Sequence, residues 1–138
     1  MKIRLIDASE TFVIRQKVLW PDLPIENCML SDDNNGIHIG AFDGGTLIAA
    51  ASVFKDHDQY RLRKFAILPE NQRQGVGADM LIYICNMLQE MDAKLLWLDA
   101  RATAIKFYEK LGFEQIGTTF FKRDVLYVKM QRTLTILP

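Results

Sequence analysis

Phe65-Ala66-Ile67-Leu68-Pro69 runs into Gln72-Arg73-Gln74-Gly75-Val76-Gly77, and Val76, Met80, Leu81, Ile84, Leu88 and Met91 then recur at helical spacing. The first stretch is apolar with strand character, and the last lays one apolar face along a helix. A strand feeding a glycine-bearing turn that opens a helix leaves backbone N–H groups unpaired at the positive end of the helix dipole. Such a turn is either a tight connection, with Gly75 and Gly77 supplying positive φ or close packing, or a seat for a phosphate-bearing ligand. A dinucleotide fingerprint is excluded, because the third glycine is missing and no acidic residue follows at the proper strand end. A P-loop is excluded too, since no Lys-Ser/Thr pair follows Gly77.

Upstream, Ile3 to Ile6 reads as a strand, and Asp7, Ala8 and Ser9 offer capping chemistry for a helix to about Leu19. Phe12, Val13, Lys17 and Leu19 hint at its apolar side. Trp20-Pro21-Asp22-Leu23-Pro24 breaks it, a short second helix fits Ile25 to Leu30, and Ser31 to Gly36 is a turn signal. Strands are expected at Ile37 to Phe42 and Thr46 to Phe54, joined through Asp43-Gly44-Gly45. Asp56-His57-Asp58 turns into a third strand, Tyr60 to Leu68. Its apolar parity switches from Tyr60 and Leu62 to Phe65 and Ile67. A half-buried strand keeps one parity, so the flip near Arg63-Lys64 predicts a β-bulge or a strand end buried on both faces.

Downstream, Leu95 to Leu98 is a continuous apolar run of the kind found in central strands. A helix from about Thr103 to Leu111 ends at Gly112, a left-handed cap position. Ile116 to Phe121, a turn at Arg123-Asp124, and Leu126, Val128 and Met130 form a closing hairpin. In the helix, Ala104, Phe107, Tyr108 and Leu111 fall at i, i+3, i+4 and i+7. By spacing alone Tyr108 is a core aromatic.

The chain has 138 residues, with 17 basic and 17 acidic side chains. That length suits one domain, residues 1–138. Charge balance argues against a nucleic-acid or anionic-membrane footprint, and no apolar run approaches a membrane span. Lys2 and Arg4 interrupt the apolar core a signal peptide would need, so a cytoplasmic protein is expected. Cys28 and Cys85 lack metal-ligand or redox spacing, and no metal is expected. His38, in a strand, reads as structural.

Two segments together resemble the Gcn5-related N-acetyltransferase (GNAT) family. Gln72-Arg73-Gln74-Gly75-Val76-Gly77 fits that family's acyl-CoA signature Q/R-x-x-G-x-G/A, and Ala104 to Phe113 fits its A-x-x-F/L-Y-x-x-x-G-F helix. The resemblance implies a mixed α/β fold: a mostly antiparallel twisted sheet of six to seven strands flanked by about four helices. It implies acetyl-CoA as cosubstrate. Backbone N–H groups from about Arg73 to Ala78 would hold the pyrophosphate, and the strand edge at Phe65, Ala66 and Ile67 would meet the pantetheine. Gln72, Gln74, Val76 and Phe107 belong to the same cofactor surface. Tyr108 would face the thioester sulfur as general acid, since a phenol can donate to a leaving thiolate. Arg101 stands where the family often has asparagine; it is either a cofactor-binding residue whose guanidinium reaches a CoA carbonyl or phosphate, or a contact to an acidic acceptor, or a solvated surface arginine.

The implied reaction is acetyl transfer to an amine by direct attack in a ternary complex, because no cysteine or serine has an activated-nucleophile context. Asp99, near a strand end, is the candidate general base. Glu70, Asp56 and His57 are weaker alternatives, more often surface charge. Trp20, Phe120 and Phe121 are candidates for an acceptor pocket. Arg61, Arg63 and Lys64 either form a solvated strand face or meet an anionic group on the acceptor. The partner is a small-molecule or peptide amine, with a homodimer possible in this family. The competing expectation is a module that binds acyl-CoA without turning it over.

Overall fold

The computed structural model describes residues 1–134. Seven strands form a single sheet: β1 (Lys2–Ile6), β2 (Ile37–Asp43), β3 (Thr46–Asp56), β4 (Gln59–Ile67), β5 (Leu95–Arg101), β6 (Glu114–Lys122) and β7 (Val125–Thr133). Their spatial order is β1-β2-β3-β4-β5-β7-β6. Every neighbouring pair is antiparallel except β4 and β5. That pair requires a crossover, and α2 (Val76–Glu90) supplies it.

The parity flip is a bulge. Ser52 pairs with Arg63 and Ala50 with Ala66, so Ala51 stands opposite both Lys64 and Phe65. Lys64 takes a left-handed φ of 53° there. The register puts Leu62 and Ile67 on one face of β4, and Arg63 and Ala66 on the other. A bulged strand bends. The parallel ladder to β5 is confined to Tyr60–Leu96 and Arg61–Trp97, before the bulge. Past these pairs the two strands part, and the sheet opens between them.

Six to seven strands were expected and seven are found, but the α-helices number three among the described residues rather than about four: α1 (Ala8–Leu19), α2 and α3 (Ile105–Lys110). The segment near Ile25 to Leu30 forms only a 3-10 turn, Ile25–Cys28. Pro24 before it and the Asp- and Asn-rich turn after it leave too few residues to nucleate a helix. In α1 the Asp7 N–H donates to Glu10 Oε1 at 3.0 Å, closing the N-terminus. The buried face of α1 is Thr11, Ile14 and Arg15, whereas Val13 is exposed. Hydrophobic spacing misleads here because a charged residue lies at the centre of the buried stripe.

Arg15 is 0% exposed. Its Nη1 donates to the Cys28 carbonyl and to Asp33 Oδ2, both at 2.9 Å. Its Nη2 donates to Asp33 Oδ1 at 2.9 Å and to Ser52 Oγ at 3.0 Å. His38 Nε2 lies 2.9 Å from the Asp33 carbonyl, which can only accept, so this nitrogen carries the proton. Ser52 Oγ lies 2.7 Å from Nδ1 on the other side of the ring. His38 is therefore structural: the network ties α1, the 25–36 segment, β2 and β3 together. Leu62, Leu81, Ile84, Leu88, Leu96 and Met130 form part of the apolar core around the sheet and α2.

Candidate functional site

The glycine turn sits where β4 ends. Leu68 N–H donates to the Ile48 carbonyl at 2.9 Å. Because antiparallel bonding alternates along a strand, the Ile67 backbone faces away from β3, into the opening beside β5. Gln72 Nε2 caps the Ile67 carbonyl at 2.9 Å, and Gln74 Nε2 donates to the Glu70 carbonyl at 3.2 Å. The two glutamines thus brace the turn with their side chains. Arg73 (φ 61°) and Gly75 (φ 85°) adopt left-handed backbone, a combination that gathers successive N–H groups into a concave nest. The first N–H bonded within α2 is that of Asp79, to the Gly75 carbonyl at 3.1 Å. Those of Val76, Gly77 and Ala78 have no partner within the helix.

Gly77 is a close-approach glycine. A Cβ there would lie 3.1 Å from Ile67 Cδ1, 3.3 Å from Phe107 Cζ and 3.4 Å from Phe65 Cζ. Phe65, Ile67 and Phe107 thus converge on the start of α2, while Ala66 is buried on the opposite face of β4. The result is a concave turn of unpaired amides with an apolar floor.

On the α1 side of the sheet, the gap between β4 and β5 opens into a cavity of about 390 Å³. Trp20 at the end of α1, residues 61–65 of β4, Asp99 and Arg101 of β5, and Tyr108 of α3 line it, and β6 and β7 add Lys122 and Tyr127. Alternation along β5 explains the placement of Asp99 and Arg101: Leu96, Leu98 and Ala100 enter the core, so their neighbours face the cavity. Tyr108 reaches it from the helix whose preceding residue, Phe107, touches the turn. It is 8% exposed, with its ring edge-on to Phe107 at 5.0 Å and to Phe113 at 5.7 Å. Burial pushes its phenol up to about 12. No hydrogen bond to its hydroxyl is found among the described residues.

Asp99 Oδ2 accepts from Arg61 Nη2 and from Lys122 Nζ, both at 3.1 Å. Its Oδ1 has no such partner among the described residues. The Lys64 ammonium lies 4.5 Å from the centre of the Trp20 ring. Burial first, and then the charges of Arg63, Arg15, Lys122 and Arg61, pull it down to about 8. Both cysteines are buried and burial raises their thiols, so neither is an activated nucleophile.

The weaker candidates for the general base, Glu70, Asp56 and His57, fall elsewhere, and none of them lines the cavity. Asp56 instead accepts from Trp97 Nε1 at 3.1 Å. Trp20 is a lining residue. Phe120 stacks on Tyr127 at 6.1 Å and Phe121 is 71% exposed, and neither lines the cavity. Sequence reasoning missed Lys122 and Tyr127. For Tyr127 the available signal was register, since it pairs directly with Arg101 across β5 and β7. No group of three metal-ligating side chains and no helix long and apolar enough to cross a membrane occurs among the described residues.

Comparison with known proteins identifies the family and the fold. Residues 24–134 match the family described as acetyltransferase (GNAT) domain. The chain is 30% identical over 129 residues to the uncharacterized N-acetyltransferase YitI of Bacillus subtilis, covering 87% of each sequence. Its fold is similar to that of the ribosomal-protein-S18-alanine N-acetyltransferase from Escherichia coli (TM-score 0.80, 21% identity, 99% of this chain and 96% of that one). It is also similar to an aminoglycoside 6'-N-acetyltransferase complexed with coenzyme A (TM-score 0.82, 14% identity, 100% and 99% covered).

Proposed function

The chain belongs to the GNAT acetyltransferase family and is an N-acetyltransferase; from that premise we propose that acetyl-CoA is its donor and that an amine attacks the thioester directly. The observation that carries this reading is the pairing of the cradle with the opening: unpaired amides at the start of α2, and beside them a gap in the sheet leading to Tyr108. The site suits CoA because it combines an amide nest for pyrophosphate with a free strand edge for an extended amide chain. A Cβ at Gly77 would crowd that surface. When bound, acetyl-CoA supplies an activated acetyl group.

The roles of the chain's own groups follow. The amides of residues 73–78 hold phosphate oxygens, braced by Gln72 and Gln74. Phe65, Ile67 and Phe107 give the pantetheine an apolar floor. A backbone N–H in the 65–67 stretch, with that of Ile67 turned to the gap, donates to the thioester oxygen as charge develops there. The N–C bond forms as the C–S bond breaks. Asp99 Oδ1 takes the amine proton, directly or through water, and passes it to solvent. Tyr108 donates a hydrogen bond to the departing sulfur. Residues 1–138 act as one catalytic domain in the cytoplasm.

A thermal melt with saturating acetyl-CoA, beside CoA and ATP, tests this reading. Ligand at 100 times its Kd adds about 2.7 kcal/mol. At roughly 3–5 °C per kcal/mol for a domain of this size, Tm rises by about 10 °C. Stabilisation by both CoA species and not by ATP is expected. No shift with either would refute the assignment.

A further inference from the structure

Five cationic side chains, Arg61, Arg63, Lys64, Arg101 and Lys122, share the cavity with a single carboxylate, Asp99. That carboxylate is already held by Arg61 and Lys122. Arg63 reaches outward to Asp32 at 3.4 Å. Lys64 and Arg101 have no ion-pair partner among the described residues. Trp20 and Tyr127 line the cavity beside these charges.

We propose that the acceptor is a compact amine that also carries a carboxylate or phosphate, which the unneutralised cations of this cavity hold while its amino group meets the acetyl donor. This inference rests on the acetyltransferase reading and names the acceptor class of the same site. The volume fits a molecule of amino-acid size at the low end of small-ligand cavities. Burial and the neighbouring cations bring the Lys64 ammonium itself to about 8. A polycation meets repulsion with only Asp99 to offset it, whereas an anionic group gains charge-assisted hydrogen bonds from guanidinium and ammonium donors.

The test measures CoA thiol release from acetyl-CoA with matched acceptors. The panel comprises L-amino acids against their amides, O-phosphoethanolamine against ethanolamine, an amidated alanine-initiated peptide, spermidine and kanamycin. The expected result is a kcat/KM at least 10-fold higher for the anionic member of a pair, with the polycations poorest. Lys64→Gln should raise KM for the anionic acceptor several-fold and leave the melting shift with acetyl-CoA unchanged. Equal turnover within pairs overturns the proposal. So does a preference for the amides, the peptide or the polycations, or turnover of nothing in the panel while acetyl-CoA still stabilises the protein. Loss of the acetyl-CoA shift itself would instead remove the acetyltransferase reading on which the proposal stands.

Discussion

Replacing Tyr108 by phenylalanine removes one oxygen and leaves the ring against Phe107 and Phe113. The hydroxyl has no protein hydrogen bond to lose among the described residues, so Tm should stay within about 2 °C. The effect on turnover follows from the phenol's raised value, about 12. A thiol ionises near about 8.5, so complete proton transfer from Tyr108 to the leaving thiolate is uphill by roughly 5 kcal/mol. Tyr108 therefore acts by hydrogen-bonding the sulfur as charge develops, and the proton itself comes from water. A hydrogen bond to a charged group contributes about 1.5–3 kcal/mol, which corresponds to a loss of roughly 10- to 150-fold in kcat for Tyr108→Phe. The assay is CoA thiol release with the best acceptor of the panel, from pH 6 to 10. Burial keeps the phenol protonated throughout that range, so the pH profiles of the two proteins should have the same shape. A loss below threefold, or an alkaline limb near pH 9 that vanishes in Tyr108→Phe, would refute this role.

Two further outcomes test the frame around the site. Asp33→Ala strands the fully buried Arg15 guanidinium and should cost about 3–5 kcal/mol, a drop of roughly 10–20 °C in Tm; a drop below 3 °C would contradict the network's role. Burial pushes the Asp33 carboxyl up, but Arg15 and the Leu30 N–H more than offset it and hold it below its usual 3.8. A depressed carboxyl stabilises the fold above its unfolded value, so the stability gap between wild type and Asp33→Asn should be full near pH 6 and shrink below about pH 3.8. Gly77→Val drives branched carbons into Ile67, Phe107 and Phe65, so it should lose about 1–3 kcal/mol and raise KM for acetyl-CoA at least 10-fold; unchanged KM by titration would separate Gly77 from the cofactor surface.

The strand–turn–helix order, the bulge and the hairpins were all legible in the chain, because each is written in local chemistry. The parity switch between Leu62 and Phe65 marked the bulge now seen opposite Ala51, and paired glycines marked a turn whose φ of 85° at Gly75 favours glycine. Helical spacing also placed Phe107 and Tyr108 on one short helix. Two features escaped such reading. The buried face of α1 centres on Arg15, whose partners Asp33 and Ser52 lie 18 and 37 residues away, and no local pattern predicts an ion pair that must be completed from three elements. The cavity likewise exists only because β4 and β5 part after two paired positions. That parting brings Trp20, Lys64, Asp99, Lys122 and Tyr127 from separate parts of the chain around one space. Periodicity reports which face of an element is apolar; which charges then meet across a gap is decided by the packing of the whole sheet.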